Sequence, residues 1–231
     1  PVTAKCMDNV GVSFICSCKE LNSMLVAAVI STFIMQISAF QINFGSKQIY
    51  TPGDEADVLV AMNSAALKAN IKNLKKGGLI IVNIAGFDKK NLALAKYAVN
   101  PLEDNTLQGY RLIKIDVNRM VSESLKESGL SFKDIDRSKN MFVLGVLYWL
   151  YSRPLDPTIQ FINSKFGKKS PEVAAANIKV LNDGYTFGEA TEIFTSRFEV
   201  KQADLEKGTY RNKANELRKA WQDLLRRLLK N

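Results

Sequence analysis

The sequence contains no histidine among its 231 residues. This absence excludes a Ser-His-Asp triad, a Cys-His dyad and any histidine metal ligand within the chain. General acid–base catalysis would therefore fall to carboxylates, lysines or tyrosines, or to another subunit.

Cysteine is also scarce, and Cys6, Cys16 and Cys18 are the three present. None belongs to a C-x-x-C pair, and three thiolates are too few for a four-cysteine cluster. An odd count confined to the first 18 residues does not make a disulfide framework. We therefore expect no metal site on this chain and a reducing, cytoplasmic location.

The motifs that usually bind phosphate are missing. No G-x-x-x-x-G-K-[ST] occurs, and no G-x-G-x-x-G follows a strand pattern. Gly77-Gly78 precedes a strand pattern, which is the wrong order for a phosphate cradle. The acidic cluster at residues 54–57 lies beside a Pro-Gly turn and is better explained by turn solvation. Without any family resemblance, the sequence therefore predicts no catalytic residue and no self-contained active site.

Basic residues are abundant, and the formal net charge is +9. This charge fits an anionic partner or an ordinary lysine-rich surface. Residues 201–231 are predicted to form a basic amphipathic C-terminal helix, which either packs on its own domain or recruits a partner. Its basic residues lack the interleaved aromatic side chains of a nucleic-acid face, so we expect no nucleic acid as a partner. The apolar positions of this helix are Leu217, Trp221, Leu224, Leu225 and Leu228.

The N-terminal segment, residues 1–39, differs in composition from the rest. Its apolar run at 24–35 is shorter than the roughly 20 residues of a membrane span, and extension to Phe40 makes only a marginal span. A buried helix is the favoured interpretation. A membrane or signal segment, and a segment without stable structure, are the alternatives. A further strand is predicted at 10–16.

From residue 40 to residue 200 the pattern becomes regular. Residues 40–44 alternate as a half-buried strand, which could pair with 48–50. Three apolar runs predict buried strands, and each is followed by a helical pattern, so we predict an α/β fold with a mostly parallel sheet flanked by helices and a helical C-terminal portion. The predicted strands are 58–62, 79–84 and 110–117. The predicted helices are 64–74, ended by Gly77-Gly78; 89–98; 119–127; 141–151; 157–166; and 173–182, capped by Ser170 and ended by Gly184.

Several motifs occur together in one order: YTPGD (50–54), DVLVAMN (57–63), GGLIIVN (77–83), NPLED (100–104), RSKNMFVLG (137–145), YWLY (148–151), RPLDPT (153–158), AN (176–177), GYTFG (184–188) and YRN (210–212). As a set they resemble the gamma-type domain of 2-oxoacid:ferredoxin oxidoreductases. The form fused to the amino end of the alpha subunit of 2-oxoglutarate-type enzymes is the most similar. The resemblance covers residues 40–212.

The resemblance implies a component of an enzyme that oxidatively decarboxylates a 2-oxoacid with coenzyme A and reduces ferredoxin. Thiamine diphosphate and iron–sulfur clusters would be bound by other domains or subunits, and this chain alone would bind no cofactor. The gamma-type domain would pack against those partners on the coenzyme A side. An alternative is a binding or assembly module whose basic C-terminal helix recruits a partner.

Two departures separate the chain from this family. The family's glycine-rich strand-to-helix turn has no counterpart in residues 1–40, and residues 213–231 replace a linker to a thiamine-binding domain. We therefore expect a truncated subunit that is inactive alone.

Four polar residues are candidates for the coenzyme A side. Asn63 and Ser64 follow the first predicted strand, Asn83 ends the second, and Asn140 precedes the predicted helix 141–151. In open α/β sheets ligands collect at the carboxyl ends of strands. Each of these residues could instead cap a helix or satisfy a turn.

Overall fold

The structure is a computed structural model that describes residues 2–7, 39–44, 55–168, 170–194 and 197–199. Strands β1 (Val2–Met7) and β2 (Ala39–Phe44) pair antiparallel, with Val2 opposite Phe44. The predicted strand at 40–44 is thus present, and its partner β1 was not predicted. The strands predicted at 10–16 and 48–50, the apolar helix at 24–35 and the C-terminal helix lie outside the described residues.

A parallel three-stranded sheet organises the central part of the chain. It consists of β3 (Ala56–Ala61), β4 (Leu74–Asn83) and β5 (Arg111–Ile115), in the order β3-β4-β5. The strands contain the apolar runs that the sequence shows, because a parallel sheet is covered on both faces. The predicted α/β fold class is confirmed.

Gly77 and Gly78 were predicted to end a helix, and this prediction is wrong. Helix α1 (Ser64–Asn70) is followed by a 3₁₀ turn at Ile71–Asn73, and β4 begins at Leu74. Both glycines lie inside this strand, where Gly77 has a φ of +76°. The pairing of β3 with β4 shifts at the same place, since Ala56 faces Leu74 and Val58 faces Leu79. Glycine permits the irregular backbone that this interruption of the ladder requires.

Short polar side chains at the N-cap positions start several helices. Asn63 accepts a hydrogen bond from the backbone of α1, and Asp88, Asp116 and Ser131 do the same for the three helices that follow. Each oxygen satisfies a backbone N–H that has no partner in the first turn. The remaining helices are α2 (Lys89–Leu94), α3 (Val117–Ser124), α4 (Phe132–Leu150), α5 (Asp156–Phe166) and α6 (Pro171–Ala190).

Two helices are longer than predicted. Helix α4 begins at Phe132 instead of residue 141, because Ser131 caps it and also hydrogen-bonds the Asp134 carboxylate at 2.6 Å. Helix α6 continues past Gly184 to Ala190. Ser170 occupies the N-cap position of α6 as predicted, but its side chain makes no capping hydrogen bond.

Gly184 allows a close approach between α4 and α6. A Cβ added at Gly184 would overlap the carbonyl oxygen of Phe142, and one added at Gly145 would overlap that of Leu181. One turn further along α6, a Cβ at Gly188 would lie 3.0 Å from the Trp149 ring. The two helix backbones therefore touch directly, at the density typical of protein interiors.

Apolar clusters lie on both faces of the sheet. On one face Leu79, Ile81 and Ile113 pack with α3, α4 and α6. On the other face Ile80 and Val82 pack with Leu67 of α1 and with other residues of that side. A third cluster joins α4 to α5 and α6. Among the described residues, no helix has the length and hydropathy needed to cross a membrane.

We predict that Gly184→Ala destabilises the chain by about 1–3 kcal/mol, since the new methyl group must displace backbone atoms of α4. The matched control is Gly109→Ala, at a position where an added Cβ meets nothing within 4 Å. That substitution should leave stability unchanged or raise it by up to ~1 kcal/mol. Urea unfolding followed by circular dichroism measures both, and equal effects would contradict the close contact.

Candidate functional site

The carboxyl ends of the three parallel strands meet at one edge of the sheet. Asn63 and Ser64 follow β3, Asn83 ends β4, and Asp116 follows β5. This edge is where α/β sheets present ligand-binding loops. Three of the four predicted site residues therefore lie at the expected place.

Asn63 and Ser64 have different environments. Asn63 is exposed, and its Oδ1 accepts a hydrogen bond from the Ala66 N–H at 2.8 Å. Ser64 is fully buried, and its Oγ donates to the Asn91 carbonyl oxygen at 2.9 Å. Ser64 thus ties α1 to α2, and of this pair only Asn63 is exposed.

Asn83 connects the sheet to α3. Its Oδ1 accepts the Val117 N–H at 3.2 Å, and its Nδ2 donates to Oδ1 of Asn118 at 3.1 Å. The side chain is 5% exposed, so these bonds satisfy a buried amide. Asn83 fixes the start of α3 relative to β4.

The loops after β3 and β4 are in direct contact. Gly86 lies in the 3₁₀ turn at Ile84–Phe87, and a Cβ there would overlap the Met62 carbonyl oxygen and lie 2.7 Å from Cα of Asn63. Only glycine permits this approach, so the turn after β4 holds the backbone beside Asn63.

Asn140 was expected at the start of a helix, and this expectation is wrong. Because α4 begins at Phe132, Asn140 lies about two turns inside the helix. It is half-buried, and within the described part of the chain no hydrogen bond joins it to Asn63, Ser64 or Asn83.

Exposed cations that were not among the predicted site residues lie at the same edge. Lys89 and Lys90 follow the capping residue Asp88 in the first turn of α2, and both are exposed. Arg119, also exposed, lies in the first turn of α3 and pairs with Glu123 at 3.6 Å. Their position just after Asp88 and Asp116, two residues of a type that often caps helices, was the signal that could have identified them. They add positive charge to a margin that also carries amides and the Asp88 and Asp116 carboxylates.

Lys68 plays a structural part instead. Its Nζ donates to the carbonyl oxygens of Ala95 and Lys96, both at 2.8 Å, and lies 4.8 Å from the centre of the Tyr97 ring. These contacts close the end of α2, where helix carbonyls lack partners. The Lys68 ammonium group thus holds α2 against α1.

The most strongly buried tyrosines do not act as bases. Burial raises the pKa of Tyr151 to about 12, and the Asp57 carboxylate adds to the shift. Burial also raises the pKa of Tyr148, while its hydrogen bond to Thr158, 2.6 Å long, opposes that effect. Both phenols therefore stay protonated near pH 7. Within the described residues, no group of three or more cysteine or carboxylate side chains could hold a metal ion.

Comparison with known proteins identifies relatives of this chain. Residues 34–187 match the family described as pyruvate ferredoxin/flavodoxin oxidoreductase. The 2-oxoglutarate oxidoreductase subunit KorA of Mycobacterium tuberculosis (strain ATCC 25618 / H37Rv) is 45% identical over 175 residues, which cover 76% of this chain and 27% of the relative. The chain thus spans about a quarter of the length of this curated relative.

A solved structure shows a similar arrangement. The 2-oxoglutarate:ferredoxin oxidoreductase from Magnetococcus marinus, with 2-oxoglutarate, coenzyme A and succinyl-CoA bound, superimposes with a TM-score of 0.53 and 25% identity. The match covers 75% of this chain and 27% of that chain.

We predict that Asn83→Ala lowers the free energy of unfolding by about 1–3 kcal/mol, because the buried Val117 N–H loses its acceptor. The control Asn118→Ala removes only the second, less buried bond and should cost about 0.5–1.5 kcal/mol. Chemical denaturation ranks the two variants. A larger cost for Asn118→Ala would contradict the bridging role of Asn83.

Proposed function

Because this chain belongs to the pyruvate ferredoxin/flavodoxin oxidoreductase family, we propose that it is a non-catalytic α/β component of a 2-oxoacid:ferredoxin oxidoreductase. It supports a coenzyme A-dependent oxidative decarboxylation that partner domains carry out. The names of the two relatives favour 2-oxoglutarate as the 2-oxoacid. The odd number of cysteines, which does not make a disulfide framework, favours the reducing cytoplasm as its location.

The contact at Gly86 carries this proposal. It holds the loop that bears exposed Asn63 against the loop that leads to Lys89 and Lys90. An amide and two ammonium groups on a fixed backbone suit an anionic ligand, since amides donate hydrogen bonds and lysines attract phosphate. Coenzyme A bears several phosphate oxygens, so the carboxyl edge of the sheet is its proposed contact surface.

The residue inventory supports the proposal that partner domains bind the iron–sulfur clusters. Iron–sulfur clusters need sets of thiolates, whereas this chain has three cysteines within its first 18 residues. Thiamine diphosphate, when bound, stabilises the carbanion that decarboxylation of a 2-oxoacid generates. In the part of the chain described here, Asn63, Lys89 and Lys90 orient an anionic substrate and move no proton.

Co-expression tests the function directly. We expect the chain to join a complex with the thiamine- and cluster-binding subunits of the same enzyme. The complex should reduce a viologen dye only with both 2-oxoacid and coenzyme A. A complex without this chain should form no active enzyme. A folded chain that joins no complex would contradict the proposal and favour an independent binding module.

We predict that Asn63→Asp raises the coenzyme A concentration needed for half-maximal rate about fivefold, since one added negative charge near a phosphate costs about 1 kcal/mol. Aspartate caps helices as well as asparagine does, so stability should not change. The control Asn182→Asp adds the same charge at an exposed position of α6 and should leave the kinetics unchanged. Equal kinetics for both variants would remove Asn63 from the site.

A further inference from the structure

Residues beyond α6 close the end of α4. Arg197 donates from Nε to the Trp149 carbonyl oxygen at 3.1 Å, and the Phe198 N–H donates to the Leu150 carbonyl oxygen at 2.7 Å. Carbonyls in the last turn of a helix lack partners within that helix. We call Ile193, Phe194, Arg197 and Phe198 the strap.

Aromatic contacts hold the strap in place. The Phe194 and Trp149 rings are 5.3 Å apart, and the Arg197 guanidinium lies 4.9 Å from the centre of the Trp149 ring. Phe198 stacks on Tyr151 at 5.2 Å. The chain therefore leaves the strap from a fixed point at Glu199.

An apolar cavity of about 170 Å³ lies between the strap and the edge strand β5. Arg111 is the one charged residue among those that line it, and Ile193 in its wall is 42% exposed. A dry cavity of about 150 Å³ is enough to bind benzene, so this one has room for a bulky apolar side chain. Its lining is Leu79, Arg111, Leu112, Ile113, Ile193, Phe194 and Phe198.

We propose that the apolar stripe of residues 209–231, the tail, docks into this cavity. The stripe recurs at helical spacing through Leu217, Trp221 and Leu224, and it needs a covering surface. Helix-in-groove packing of this kind places one or two anchoring side chains in a pocket.

The connection to the strap is short enough to favour this docking. Residues 200–208 separate Glu199 from the tail, and nine residues reach at most about 30 Å. A tether of this length gives an effective concentration in the millimolar range. A contact with the cavity whose dissociation constant lies below that concentration is therefore occupied most of the time.

Charge distribution also favours the tail as the occupant. The tail carries seven basic residues against Glu216 and Asp223. Glu189, Glu192 and Glu199 lie within four residues of the strap and are exposed, so they outnumber the one exposed cation of the strap, Arg197, and attract the tail. Arg111 at the cavity is complementary to Asp223, which borders the apolar stripe.

Tryptophan quenching by acrylamide tests the proposal in the full chain. Trp149 and Trp221 are the two tryptophans, and Trp149 is 8% exposed. Subtracting the fluorescence of the Trp221→Phe variant from that of the parent leaves the signal of Trp221 in the tail. Ile193→Asp should shift the docking equilibrium toward release by about tenfold or more, because a carboxylate opposes an apolar contact. Quenching of Trp221 should rise accordingly.

Phe132→Asp is the matched control, since Phe132 is 93% exposed at the start of α4 and lines no part of the cavity. It should leave quenching unchanged.

Leu224→Asp repeats the test from the tail side and leaves the residues that line the cavity unchanged. Equal quenching of Trp221 in the parent, in Ile193→Asp and in Leu224→Asp would overturn the proposal. Protection of Trp221 that depends on protein concentration would overturn it too, because a second copy would then be the partner.

Discussion

Direct backbone contact between α4 and α6 creates the surface on which α3 and α5 pack. Gly145 and Gly184 bring the two helices so close that their side chains form one continuous surface under the sheet. That surface covers one face of β3, β4 and β5, and α3 packs against it. On its other side the same pair buries Tyr148 and receives α5. A parallel sheet must be covered on both faces, so the fold depends on this pair.

The sequence predicts the strands of this fold better than its helix ends. Continuous apolar runs reveal buried strands, because few other structures tolerate them in a soluble domain. Glycines are ambiguous, since the same residue ends helices, bends strands and permits close packing. Gly77 and Gly184 were both interpreted as helix ends. The first bends a strand and the second meets a neighbouring helix, and neither role is visible without the tertiary contacts.

The candidate site was predictable in location but only partly in detail. The order of strand and helix patterns was enough to place Asn63, Ser64 and Asn83 at one edge of the sheet. The partners of Ser64 and Asn83 lie 27 to 35 positions away, so no local pattern reveals that these two side chains are already hydrogen-bonded. Lys89 and Lys90 were missed for a different reason, since exposed lysines occur on most protein surfaces.

The contact between Gly86 and the backbone at Met62 and Asn63 leaves no side chain between two loops that would otherwise move separately. Asn83 joins the second of these loops to the first turn of α3. A ligand that binds there meets a margin that is already ordered, and it loses little conformational entropy in the protein. We therefore expect this edge to keep its conformation when a ligand binds, so that most of the conformational change on binding occurs in the ligand.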